Sequence, residues 1–438
     1  MMHLLLADLR TQWRAWLGVF VLAATAGLVL SLGVSVAETG FVLGGEFQEG
    51  LAGMAGMILM FSAVSATGVL SSVAALTVQL QQRSYALWQL LGARSGAVGA
   101  IVMVQLLLVS LLGSLLGMAA APPLARAMFT WGFPADSILY GIQTSFGPPT
   151  VVGTLLAVCL LVLLGGWRPA RRAARTEPLQ VLREPEPKGK TMGWLRWVMS
   201  LVALGAVYGI SVELFVPGSD PALTPLIAPA MAAVVLFLGP FLYPLVLSAW
   251  TALLPGRVSP AWFLARHQAQ HRLSYGTAAI TPLFVGISLT GGLLTAAATQ
   301  FKGESVAVEQ LVIMLGGPIL LAAVASAVVV FMSSRTRGQE LGLLQASGAT
   351  HRTLVRTALC EALIYVVTAC LLSAVVIVAS GAVIAAGLSV SEPGTAPSFA
   401  FGAALVVAGL GGLLVLVATV VPTVAGLRRD VMRTVSAE

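Results

Sequence analysis

Ten apolar runs, each long enough to cross a bilayer, leave this chain few folds to choose from. They fall roughly at 15–37, 52–79, 97–126, 150–167, 197–215, 223–253, 276–298, 310–333, 355–388 and 399–425. About twenty apolar residues span the hydrocarbon core as a helix, and a helix bonds its own backbone where no water can. Only 9% of the residues are charged, against about a quarter in a soluble domain. The runs are therefore membrane helices rather than the interior of a large globular protein. The first run contains Val34-Ser35-Val36-Ala37, which has the small residues of a signal-peptide cleavage site. It is too long for a signal-peptide core and has a counterpart downstream, so it counts as a span.

Charge sets the orientation. Ten spans put both termini on one side. With the N-terminus inside, 22 of the 24 lysines and arginines fall in inner segments, and only Arg126 and Lys302 fall outside. The outer loops are acidic instead, with Glu38, Glu46, Glu49, Asp136, Glu213, Asp220, Glu304, Glu309 and Glu392. Basic residues stay on the cytoplasmic side of a membrane, so both termini are expected in the cytoplasm. The net charge of +7 then belongs to topology and not to a nucleic-acid partner. Cys159, Cys360 and Cys370 all lie in apolar runs and are expected as membrane-buried thiols.

The chain repeats itself. Leu5–Arg14 resembles Phe263–Arg272, with Leu6, Ala7, Gln12 and Arg14 matching Leu264, Ala265, Gln270 and Arg272. Ser84–Arg94 resembles Glu340–Thr350 through the frame Leu-x-Gln-x-x-Gly-Ala, at Leu87, Gln89, Gly92 and Ala93 and at Leu343, Gln345, Gly348 and Ala349. "ARTEPLQV" and "LRRDVMRT" follow the last span of each half. The offsets stay between 253 and 258 residues, in the same order, which means that one unit occurs twice. The expected fold class is an all-α membrane protein with two parallel four-helix repeats joined by a two-helix linker. The first repeat covers 1–185, the linker with helices 5 and 6 covers 186–258, and the second repeat covers 259–438.

In each repeat the Leu-x-Gln-x-x-Gly-Ala stretch is a short inner helix between the second and third spans. Tyr85, Trp88, Gln89 and Gly92 recur at i, i+3, i+4 and i+7, as do Leu341, Leu344, Gln345 and Gly348, so each set forms one helical stripe. Gly92 and Gly348 suit the left-handed residue that ends a helix. Ser95 and Thr350 suit the cap of the next one. Two interpretations stay open on these residues alone. The short helix is a docking element that passes a push into the membrane, or it floats on the lipid headgroups.

The stretches Arg337–Ile364 and, more weakly, Gln82–Val109, with the tail Ala170–Glu184, resemble the FtsX-like permease family of ABC transporters. The likeness covers both four-helix units. The second copy carries the Glu-x-Gly-x-x-x-x-x-Gly-Ala pattern in full, and Ser84 replaces Glu340 in the first. Two units plus a linking pair are similar to the ten-helix permeases of bacitracin-type exporters. The resemblance implies two cytoplasmic ATPase subunits, which bind ATP and Mg and dock on the coupling helices. The implied docking residues are Tyr85, Leu87, Trp88, Gln89, Gly92, Ala93, Glu340, Leu341, Leu343, Leu344, Gln345, Gly348 and Ala349. It also implies a bacterial plasma membrane, and a sensor kinase or accessory membrane protein as a further partner.

That family carries a large outer domain, whereas Glu38–Leu51 and Gln300–Glu309 are short here. The expected activity is export or membrane extraction of a lipid-like molecule, an amphipathic peptide or an antibiotic. The alternatives are ATPase-driven signalling without translocation and, less well supported, a secondary transporter. The longest outer loop, Thr130–Pro149, holds Trp131, Phe133, Tyr140 and Phe146, expected as interfacial aromatics.

Little else carries chemistry. Gly189-Lys190-Thr191 lacks the first glycine of a phosphate-binding loop, because Glu184 stands there. No cofactor is expected on this chain. His267 and His271 stand four apart with no carboxylate nearby, so no metal is expected either. No nucleophile or paired-carboxylate constellation stands out, so an enzyme is not expected. Glu361, with Gln105 as its repeat counterpart, is an intramembrane polar position that costs about 2–3 kcal/mol at full depth unless partnered. Arg356 or Arg337 is the expected partner. Glu361 is either a polar hinge beside the coupling helix or an ordinary interfacial carboxylate.

Overall fold

The computed structural model describes residues 13–133, 140–174, 193–216, 221–254, 259–271, 273–300, 313, 315–325, 327–329, 332, 345, 348–391 and 394–427. Among these, every regular element is helical. In chain order they are α1 (Trp13–Leu43), α2 (Glu46–Leu80), α3 (Gln82–Leu90), α4 (Ser95–Trp131), α5 (Pro148–Ala174) and α6 (Trp194–Leu214). A 3₁₀ turn (Pro221–Leu226) leads into α7 (Ile227–Ala252). Then come α8 (Pro260–His271), α9 (Leu273–Gln300), α10 (Leu315–Val329), α11 (His351–Ser391) and α12 (Phe401–Leu427). Among the described residues nine helices, all but α3, α8 and α10, are long and apolar enough to cross a membrane. The eighth expected span falls on α10, of which only part is described.

The repeat reappears in the helix bounds. α4 and α11 start at Ser95 and His351, 256 residues apart. α5 and α12 start at Pro148 and Phe401, 253 residues apart. α1, α2, α4 and α5 close around one apolar core that includes Leu22, Leu30, Val69, Val102, Leu106 and Val158. α7, α9, α11 and α12 close around a second core with Phe284, Leu289, Tyr365 and Leu372.

The two units exchange helices at the seam. Leu321, Ala325 and Val328 of α10 belong to the first core, and Phe61 of α2 belongs to the second. Gly18 of α1 faces Val328 and Met332, Gly317 faces Val29, and Ser65 Oγ donates to the Pro318 carbonyl at 3.3 Å. α2 in turn packs on α9. The seam thus looks the same from either side, as a parallel repeat about an axis along the membrane normal requires. α7 lies over α9 and α11, and α6 stands outside α7. This linker pair clads the second unit.

The helices alternate between two ends. Arg94, Arg168, Arg171, Arg196, Arg266, Arg352 and Arg356 fall at one end, with α3 and α8. Arg126 alone among the described arginines lies toward the other. At that opposite end each unit ties its first helix to the start of its fourth. The Gly147 and Thr150 amides donate to the Glu38 carboxylate at 3.0 Å each, and the Thr150 hydroxyl donates to it as well. In the second unit the Ala400 and Ser398 amides donate to the hydroxyls of Thr295 and Thr299 at 3.1 and 3.2 Å. These contacts satisfy amides that a helix start leaves without internal acceptors.

Candidate functional site

α3 is nine residues long, and its stop is built from backbone geometry. Gly92 adopts φ 94°, its amide donates to the Gln89 carbonyl, and the Ala93 amide reaches back to Trp88, both at 3.0 Å. This is the paired ending that a glycine in the left-handed region allows. An added Cβ at Gly92 would touch nothing, so the backbone angle alone demands glycine. The second copy repeats the stop. Gly348 also has φ 94°, and its amide donates to the Gln345 carbonyl at 2.9 Å. Thr350 then caps α11, its Oγ accepting from the Thr353 amide at 3.4 Å. Ser95 differs from expectation. It is the first residue of α4, Arg94 occupies the cap position, and no side chain bonds there.

The stripe Tyr85, Trp88 and Gln89 turns toward the bundle. Tyr85 is 0% exposed, donates to Gln81 Oε1, and meets the Trp88 ring edge-on at 5.5 Å between centroids. Trp88 and Ala93 pack against the first core. Gln89 Nε2 donates to the carbonyls of Ala173 and Ala174 in the last described turn of α5, 3.3 Å each. The outward face is Leu87 at 48% exposed, Leu90 at 52% and Leu91 at 87%. Leu90 and Leu91 were not marked by the sequence pattern because neither belongs to the repeated frame. The signal was apolar residues left over once the inward stripe was assigned. In the second copy Glu340, Leu341, Leu343 and Leu344 lie outside the described residues. Gln345 is described, and its Nε2 lies 3.4 Å from His351 Nε2. Ala349 follows Gly348 in the connection to α11.

Beneath these connections each unit buries a polar knot. In the first, Gln81, Tyr85 and Gln105 are all buried. In the second, Glu361 is 7% exposed, and the Tyr365 hydroxyl donates to its Oε1 at 2.8 Å. The expected partners are Arg356 and Arg337. Arg356 is exposed, and Arg337 lies outside the described residues. Tyr365 is a partner that stands one turn along the same helix, facing the same way.

Elsewhere, His267 and His271 are exposed on α8, and the His267 ring contacts the Phe263 carbonyl at 2.9 Å. Among the described residues no group of His, Cys, Asp and Glu is arranged to hold a metal. Of the four outer aromatics, Trp131 and Tyr140 are exposed. Phe133 stacks on Phe129 at 5.7 Å, and Phe146 packs inward. The Gly189-Lys190-Thr191 stretch lies outside the described residues.

The FtsX-like permease C-terminal family model matches residues 54–178 and 312–431, together more than half of the chain. Each match runs through the second, third and fourth helices of a unit and includes the short connection between the second and third. No curated protein matches the chain. Two glycine-stopped connections, each set in a matched segment, place this multi-pass membrane protein as a permease subunit of the ABC-transporter type: it belongs to the FtsX-like permease family.

Proposed function

We propose that this permease couples ATP hydrolysis by two cytoplasmic ATPase subunits to export or membrane extraction of a lipid-like molecule, an amphipathic peptide or an antibiotic. The arginine-rich end is then the cytoplasmic face of a bacterial plasma membrane, and the ATPases bring the ATP and Mg. The observation that carries this is the outward apolar surface of α3. Leu87, Leu90 and Leu91 stand exposed on a helix that is fixed from behind by Tyr85 and Gln89. An exposed apolar patch marks a protein or membrane contact, and on this reading the patch on α3 receives the ATPase. Rigid seating is what lets such a contact move the bundle. The segment around Glu340, Leu343 and Leu344 is the corresponding site for the second ATPase.

Signalling without translocation, read out by a sensor kinase or an accessory membrane protein, is the second reading. The close seam favours it, since Gly18 and Gly317 already lie against side chains of the other unit. Co-purification with the ATPase encoded beside this gene tests docking. Wild type is expected to retain two ATPases. Leu87→Asp/Leu90→Asp is expected to retain one, and the further change Leu343→Asp none. Equal capture by all three chains defeats the docking reading. Stimulation of hydrolysis by an added amphipathic peptide supports transport, and its absence in a docked complex supports signalling.

A further inference from the structure

The docking helix is seated on the first core by Tyr85 and Trp88, and it also carries a polar tie to the bundle. α3 touches α4 and α5 over short stretches. One side chain bridges it to the fourth helix. Gln89 Nε2 donates to the carbonyls of Ala173 and Ala174 in the last described turn of α5. Gln89 therefore ties α3 to the inner part of α5, and a movement of α3 pulls directly on α5.

The same residue type recurs at Gln345, in the same place in the frame and three residues before the same positive-φ glycine. Its counterpart carbonyls are those of Gly426 and Leu427, in the last described turn of α12. Yet Gln345 reaches His351 Nε2 at 3.4 Å, a long contact at the start of α11. One glutamine is engaged with its fourth helix and its repeat is turned toward its third.

We infer that Gln89 and Gln345 are two copies of a coupling latch. Each is an amide donor that ties the ATPase-docking helix of its unit to carbonyls in the inner part of the fourth membrane helix. It is closed in the first unit and open in the second. Gln89 is thus a positioning residue that acts on the ATPase only through α3. The inference rests on the docking reading above. It adds that the stroke reaches the bundle through a hydrogen bond that is made and broken, beside the apolar contact of α3 with the core.

The chemistry of the amide gives the test. The full chain is purified with its ATPase in lipid nanodiscs, as wild type, Gln89→Glu and Gln89→Arg. Glutamate keeps the shape and removes the donor, whereas arginine restores a donor. Three quantities are measured: ATPase subunits bound per permease, amide hydrogen exchange across α3, and permease-stimulated ATP hydrolysis. Gln89→Glu is expected to keep its ATPases on Leu87, Leu90 and Leu91. It is also expected to speed α3 exchange and to lower stimulated hydrolysis, each by about tenfold, the scale of a lost hydrogen bond with a buried acceptor left facing a carboxylate. Gln89→Arg is expected to recover most of both.

Wild-type exchange and hydrolysis in Gln89→Glu overturn the latch. So does an arginine variant that fails as fully as the glutamate one, since the site then needs glutamine's shape and not its donor. Failure of the wild type to hold any ATPase defeats the docking reading instead, and α3 exchange still decides whether the tie exists.

Discussion

The two four-helix units share a plan and differ in how each contact is made. Where α1 crosses α4, Gly113 and Gly117 let the backbones meet. A Cβ at Gly117 would sit 1.8 Å from the Ala24 carbonyl oxygen. Where α9 crosses α11, the equivalent position is Ser373, whose hydroxyl donates to the Phe284 carbonyl at 3.1 Å. Both are ways for membrane helices to associate without a hydrophobic drive, one by close approach and one by a polar bond.

The outer ends differ in the same manner, with the Glu38 carboxylate in one unit and the Thr295 and Thr299 hydroxyls in the other. The environment differs too. Thr368 of α11 is buried under α7 and accepts from Trp250 Nε1 at 2.9 Å, while its counterpart Leu112 is exposed. A hydroxyl is tolerated where a linker helix supplies a partner, and leucine takes its place where lipid does. The lesson is that duplication preserved the backbone plan while each copy's neighbours chose the side chains.

The largest test of this contrast is at the crossings. Gly117→Ala is expected to destabilise the permease by about 3 kcal/mol or more, because the new methyl meets backbone. Ser373→Gly is expected to lose about 1–2 kcal/mol, from one hydrogen bond and added backbone freedom. Thermal unfolding in detergent measures both, and equal losses would break the contrast.

Next come the outer ties. Glu38→Ala removes an acceptor for two amides and a hydroxyl and is expected to cost about 2–3 kcal/mol, against about 1 kcal/mol for Thr295→Ala. A larger loss at Thr295 would reverse the ranking. The glycine stops should be alike. Gly92→Ala and Gly348→Ala each force a methyl into φ 94° and are expected to cost about 1 kcal/mol apiece. Unequal losses would show that the two connections differ beyond their backbone.

The smallest effect on stability is expected at the buried acid. Glu361→Gln gives the second unit the residue of the first and keeps an acceptor for Tyr365, so stability should change by under about 1 kcal/mol. If Glu361 acts as a hinge, stimulated ATP hydrolysis falls all the same. Unchanged coupling would leave it a structural carboxylate.

Much of this was legible in the chain. Length and hydropathy placed the spans, because lipid forces each backbone segment to satisfy itself within one helix. The repeat offsets of 256 and 253 residues returned as helix bounds. The glycine stops at Gly92 and Gly348 were readable because few residues other than glycine adopt that φ readily. These are local properties, set by a residue and its near neighbours along the chain.

Tertiary structure decided the rest. A helical stripe says which residues share a face but not whether it looks inward, and the bundle turned Tyr85 and Gln89 in and left Leu87, Leu90 and Leu91 out. Sequence counted Glu38 as one more outer-loop acid. Only the arrival of the α5 start, more than a hundred residues later, makes it an acceptor. Nothing in the repeated frame marked Tyr365, which the fold sets against Glu361. Partners of polar groups are chosen by which helices meet, and in a membrane that is fixed by packing between distant segments rather than by the order of residues along one of them.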